Sequence, residues 1–137
     1  MGIVHANVTL VNCDDLTLER KGYIGKDEIR SLDTTMMVDS GAIMLTINEA
    51  LVEALGLDII DYRPSQLADR TRIKLPVAGP VKVIFEDRFC ITDALVLPDD
   101  NEPLLGAIPM EEMDLWINPA RGLLTAIHPE GPLMSLK

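Results

Sequence analysis

Cysteine, histidine and basic charge are all scarce in this sequence, and each shortage removes a class of function. The two cysteines, Cys13 and Cys90, stand far apart and outside any close-spaced ligand pattern, so neither a disulfide framework nor a metal knuckle is expected. They read as reduced, buried thiols, with no neighbouring histidine or basic motif to activate them for catalysis. With only His5 and His128 beside them, a zinc site of usual composition is not expected, and no metal is assigned. Lys and Arg number 12 against 22 Asp and Glu, a formal net charge of -10, and such a surface repels nucleic acid and anionic membranes. No apolar run approaches the roughly 20 residues of a membrane span. The first residues, Met1-Gly2-Ile3-Val4-His5-Ala6, lack the basic segment of a secretory signal, so the expected location is the cytoplasm.

What is present is enough chain for one domain, burying roughly two thirds of the surface its unfolded form exposes. From Ile3 to Val11 apolar and polar residues nearly alternate, with Val4, Ala6, Val8 and Leu10 on one face, as in a half-buried strand with His5 on its surface. The stretch from Asp14 to Asp33 is rich in charge and turn residues and reads as a loose hairpin. The acid pairs Asp14-Asp15 and Asp99-Asp100 lack the spaced oxygen ligands of a calcium loop and read as solvated turns. Thr34 to Val38 returns to a strand, with Met36 and Met37 filling core space.

Thr46-Ile47-Asn48-Glu49 fits a capping box, Ile47, Leu51, Ala54 and Leu55 share a helical face, and Gly56 is placed to end that helix in a left-handed conformation. Further strands are expected at Ile73 to Val77, Val81 to Phe85 and Phe89 to Leu97, the last two joined through Glu86-Asp87-Arg88 as a hairpin. Pro76 and Pro80 lack backbone donors, which places them at edges or bends. A short helix is expected to open at Pro109. Trp116 to Leu124 reads as two strands around a turn with Trp116 in the core, and the tail from His128 as mobile.

One stretch carries chemistry: Val38-Asp39-Ser40-Gly41-Ala42, an aspartate ending an apolar β run and followed at once by a hydroxyl and a glycine. A carboxylate can handle a proton, a hydroxyl can fix the loop, and glycine lets backbone approach closely. The same three residue types also make ordinary strand-ending turns. A second stretch alters that balance. Leu104-Leu105-Gly106-Ala107, about 65 residues downstream, repeats the order of apolar strand end, glycine, alanine and helix, a weak internal repeat.

Taken together, these residues resemble the retropepsin-like single-lobe aspartic proteases of the bacterial soluble type, over about residues 34 to 124. The resemblance implies a mostly β fold, a closed retropepsin-like acid-protease β-barrel lobe with one or two short helices. Residues 34–127 would form the protease domain, residues 1–33 an N-terminal strand and hairpin segment of the same lobe, and residues 128–137 the tail. In that family two Asp-Thr/Ser-Gly loops face each other. This chain has one, so the resemblance implies a homodimeric aspartic endopeptidase in which Asp39 of each copy joins a catalytic dyad, without metal or cofactor.

By the same resemblance Ser40 would tie the two loops together, Gly41 and Ala42 would admit the substrate backbone, and Leu104, Leu105 and Gly106 would form the second loop motif. Residues 67–77 would form a flap over an extended peptide. Ala68, Asp69, Arg70 and Thr71 are its candidates for substrate contact, with Ile43, Met44, Val77 and Ile108 as apolar lining. The chain departs from the family in three places: Ile43 and Met44 stand where a polar residue is common, Ala107 follows Gly106 where Arg, Asn or Asp is common, and the flap lacks a turn glycine, so that either Asp69 makes a type I turn or the flap is shaped differently. Two other readings stay open: a catalytically silent dimerisation or peptide-binding module with this fold, and an unrelated small β-rich structural protein.

Overall fold

The alternation at the start of the chain becomes β1 (His5–Asn12), with Ala6, Val8 and Leu10 buried and His5 exposed, in a computed structural model that describes residues 2–133 and 136. β1 pairs antiparallel with β2 (Ser31–Val38), Ala6 lying opposite Met36 and Leu10 opposite Leu32. Met36 is fully buried and Met37 half-buried.

Between these strands the expected hairpin is replaced by a helix, α1 (Cys13–Arg20), and a 3-10 turn at Lys26–Glu28. The charges read as turn formers in fact cap and anchor. The Asn12 side chain accepts from the Asp15 amide at 3.0 Å, and Asp14 and Asp15 occupy the positive end of the helix. Asp15 is therefore no solvated turn residue. It is buried, and its carboxylate receives the Arg30 amide at 3.0 Å and the guanidinium Nε and Nη2 at 2.9 Å each. Asp99 and Asp100 are exposed, as expected.

The capping box at Thr46 does not form either. Leu45, Thr46 and Ile47 are buried in a strand, β3 (Leu45–Asn48), as suits β-branched residues on a packed sheet. The helix α2 (Glu49–Leu55) starts two residues later, where Asn48 accepts from the Leu51 amide at 3.0 Å. Gly56 ends it as expected, with φ 62° and ψ 35°. The Asn12 amide donates to the Leu55 carbonyl at 2.9 Å, so one side chain ties the start of α1 to the end of α2.

A strand not read from the sequence follows, β4 (Asp58–Gln66), and then β5 (Arg72–Phe85), one strand where two were expected, and β6 (Arg88–Leu97). Pro80 sits at the bulge in the β5–β6 pairing, and Pro76 lies opposite Tyr62 of β4. The turn at Glu86-Asp87 forms as expected. Arg88, next in line, is buried, and donates to the Met113 and His128 carbonyls at 2.9 Å each.

Next come β7 (Leu104–Leu105), α3 (Ala107–Glu112) and a separate hairpin of β8 (Leu115–Asn118) with β9 (Leu123–Ala126). α3 opens at Ala107, two residues ahead of Pro109. Trp116 is not core: it is 45 % exposed, because strand alternation turns Leu115 inward and its neighbour outward. His128, the expected start of a mobile tail, is fixed by Asp114 and Arg88. Met134, Ser135 and Lys137 of that tail lie outside the described residues.

The main sheet has seven strands in the order β1-β2-β7-β3-β6-β5-β4, and β1 also pairs with β5, Thr9 opposite Ile84 and Asn12 opposite Val81. Leu10, Met36, Leu45, Ile47, Leu55, Val81, Val83 and Leu105 are buried together in one core. The protein is mostly β. Among the described residues no helix is long and apolar enough to cross a membrane.

The Arg30 guanidinium holds the Asp15 carboxyl below its ordinary value of 3.8. A depressed folded value means the pair stabilises the fold above the unfolded value and loses that contribution as pH falls through the folded one. Thermal melts from pH 7 down to pH 2 should therefore show Asp15→Asn less stable at neutral pH, by about 1–3 kcal/mol. The gap to wild type should close below the ordinary aspartate value.

Candidate active site

Asp39 stands one residue past the end of β2, and its position is set almost wholly by backbone. Its amide donates to the Leu105 carbonyl at 3.0 Å, its carbonyl accepts from the Ala42 amide at 3.1 Å, and its carboxylate Oδ1 accepts from the Gly41 amide at 2.9 Å. β7 lies between β2 and β3, parallel to the first through Met37 with Leu104 and Val38 with Leu105, and antiparallel to the second through Thr46 with Leu104. The chain leaving β2 must therefore pass over β7 before it can return as β3. The loop that makes this passage carries Asp39, Ser40 and Gly41.

The residues after β7 hold that loop from the other side. The Ala107 amide donates to the Ala42 carbonyl at 2.8 Å and the Ile108 amide to the Ile43 carbonyl at 2.9 Å. Gly106 lies so close beneath the loop that a Cβ there would meet the Met44 carbonyl, the Ala42 carbonyl at 2.8 Å and the Ile43 backbone carbon at 3.0 Å. The Leu-Leu-Gly motif thus has a physical reason: Leu105 fills the core, its carbonyl fixes Asp39, and only glycine fits next. The two sequence motifs meet in one place.

The Asp39 side of the loop faces outward. Asp39 is half-buried, and Ser40 and Gly41 are exposed. A shallow cleft of about 310 Å³ opens beside them, lined by Ile3, Val4, Met37, Val38, Asp39, Ser40 and Ile117. The N-terminal segment forms one wall because the Val38 amide donates to the Val4 carbonyl at 2.8 Å.

Of the remaining expected site residues, Ile43 and Ile108 are exposed and adjacent through the bond just given. Val77 is not part of any lining: it is 2 % exposed, on the inward face of β5 with Leu75, and belongs to the core. Ala68, Asp69, Arg70 and Thr71 form the tip of the β4–β5 hairpin. There the Arg70 amide donates to the Leu67 carbonyl at 2.9 Å and the Leu67 amide to the Thr71 carbonyl at 2.8 Å. Arg70, with φ 71°, takes the left-handed position that a glycine would ordinarily fill. The Thr71 amide donates to Asp69 Oδ1 at 2.9 Å and holds that carboxyl below its usual 3.8.

The hairpin is longer than the sequence suggested, because β4 forms its other arm. No residue of β4 is buried, so the arm stands away from the body. It touches the Asp39 loop through Arg63, whose Nη1 lies 3.1 Å from Met44 Sδ. Sequence reasoning missed both β4 and Arg63. The signal was the run Ile59-Ile60-Asp61-Tyr62, interrupted by one acid and followed by Pro64.

Cys13 and Cys90 are free and buried, as expected; burial raises both thiols, Cys90 to about 12, which leaves neither as a thiolate nucleophile. Among the described residues no group of three or more His, Cys, Asp or Glu is placed to hold a metal ion.

No family model matches the chain, and no curated protein matches it. Among solved structures, the crystal structure of a retropepsin-like aspartic protease from Rickettsia conorii is similar at 16 % identity and a TM-score of 0.49, over 86 % of this chain and 89 % of that chain.

The close approach at Gly106 yields a direct test. Gly106→Ala should cost about 1–3 kcal/mol in urea denaturation, as overpacking against backbone does. It should also speed hydrogen exchange at the Ala107 and Ile108 amides more than at amides of β5. Uniform behaviour across these amides would mean that the loop does not depend on this contact.

Proposed function

We propose that this chain is one half of an aspartic endopeptidase that hydrolyses peptide bonds as a homodimer. The observation that carries the reading is the placement of Asp39: a strand-end carboxylate in an outward-facing loop, held from behind by the backbone of Leu105 to Ile108. The sheet supports a closed barrel-like lobe of the retropepsin kind, since β1 pairs with both β2 and β5 and so brings the strand path back on itself.

A single loop of this kind supplies one carboxylate, and the proposed chemistry requires two. With a second copy related by a two-fold axis, the Asp39 carboxylates would face each other. Two ionised carboxylates about 3 Å apart repel by roughly 5 kcal/mol at an effective dielectric near 20. One of the pair would therefore keep its proton near neutral pH. The ionised Asp39 would take a proton from a bound water while the protonated one donates to the scissile carbonyl. The resulting tetrahedral diol would collapse with return of a proton to the leaving amine.

The exposed hydroxyl of Ser40 would tie the facing loops together, and Gly41 would leave room for the substrate backbone. The peptide would lie extended between the Asp39 loop and the β4–β5 hairpin, which acts as the flap. Ile43 and Ile108, the exposed apolar side chains at this loop, favour apolar residues next to the cut.

Peptide-library cleavage read by mass spectrometry between about pH 4 and 7 tests this reading. Wild type should cut at apolar pairs. Asp39→Asn should lower cleavage by about 10²–10⁴-fold or more. Two equally silent proteins that both form dimers would replace the peptidase with a binding module, and cleavage surviving in Asp39→Asn would assign the activity to other residues.

A further inference from the structure

The charge of the chain is unevenly spread. From Tyr62 to Leu75, the outer part of the β4–β5 hairpin, the sequence holds Arg63, Arg70, Arg72 and Lys74 against one acid, Asp69, in a chain whose net charge is -10. A cationic arm thus projects from an acidic body.

The register divides these cations between two faces. Arg63 pairs with Leu75, Ser65 with Ile73 and Asp61 with Val77, and paired residues of antiparallel strands share a face. Leu75 and Val77 are buried against the body. Arg63 is therefore on the underside of the hairpin, toward the Asp39 loop, where its Nη1 meets Met44 Sδ. Arg72 and Lys74 alternate onto the upper face, and Arg70 sits at the tip.

What sets Arg63 apart from the other cations of the hairpin is its place on the underside, beside Met44 of the Asp39 loop. Among the described residues no carboxylate lies within ion-pair distance of Arg63, as is also true of Arg70 and Arg72. A guanidinium carries five donors in a planar fork, and a thioether sulfur engages at most one of them weakly. The remaining donors suit a carboxylate taken bidentately.

We infer that the peptide bound beneath the β4–β5 hairpin is acidic, with a Glu or Asp side chain near the apolar cleavage pair held by Arg63. The inference rests on the reading that an extended peptide lies between this hairpin and the Asp39 loop. Ile43, Ile73 and Ile108 are the exposed apolar neighbours that a bound peptide would cover, and covering them strengthens the ion pair by excluding water. Arg70, Arg72 and Lys74 make no contact with the carboxylate. They raise the local potential, so that an anionic peptide repelled by the rest of the surface is drawn to this arm.

The test separates binding from cleavage. Full-length Asp39→Asn protein is titrated into two octapeptides carrying the same fluorescent label, Gly-Gly-Glu-Leu-Leu-Glu-Gly-Gly and its Gln counterpart, with anisotropy as readout. The Glu peptide should bind about five- to tenfold more tightly at low salt, and the advantage should shrink at high salt. Adding Arg63→Gln should bring the ratio near one, Arg63→Lys should retain part of it, and Arg63→Glu should reverse it. A Glu preference that survives Arg63→Gln, equal binding of the two peptides, or no binding of either overturns the inference. Wild-type cleavage of apolar sites without acidic preference would overturn it while leaving the peptidase standing.

Discussion

Everything proposed for this protein depends on a backbone-to-backbone contact: the approach of Gly106 beneath the loop from Asp39 to Met44. A strand threaded between two others forces the connecting loop over its end. The glycine then lets that loop sit close enough for the Ala107 and Ile108 amides to bond the carbonyls of Ala42 and Ile43. Backbone bonds are insensitive to side-chain rotamers, so the carboxylate of Asp39 is presented from a rigid support. Ser40, Gly41 and Ile43 can then be exposed without loosening the loop.

Around that centre the molecule uses charge in two ways. On the body, buried polar groups fasten elements together: Asn12 links α1 and α2, Asp15 grips the segment entering β2 through Arg30, and Arg88 holds Met113, just after α3, and His128, beyond β9. On the β4–β5 hairpin the charges face solvent or the loop below. With no buried residue in β4, the arm is fastened to the body chiefly through β5.

The legible parts of the fold were those with short-range patterns. The alternation of β1, the left-handed stop at Gly56 and the Glu86-Asp87 turn followed from neighbouring residues alone. The illegible parts were those where tertiary context overrode local signals. Asp14 and Asp15 looked like turn residues because the partner that buries Asp15, Arg30, comes 15 residues later. Thr46 looked like a helix cap because nothing local reveals that β3 is flanked by β6 and β7. Val77 and Trp116 were assigned to the wrong sides, since strand existence is easier to read than strand facing. At the site, Asp39, Gly41, Leu105 and Gly106 were legible as motifs, and their juxtaposition is in the structure. Arg63 was not legible, because its place beneath the hairpin follows from register and not from any motif.

The central claim is that one active centre is built from Asp39 of two copies. The most direct measurement mixes wild-type and Asp39→Asn chains under exchanging conditions at constant total concentration and follows peptide cleavage against the wild-type fraction. A shared dyad predicts activity that falls as the square of that fraction, because a mixed pair holds one carboxylate and is silent. A linear fall would mean that each copy works alone, and that result would contradict the account.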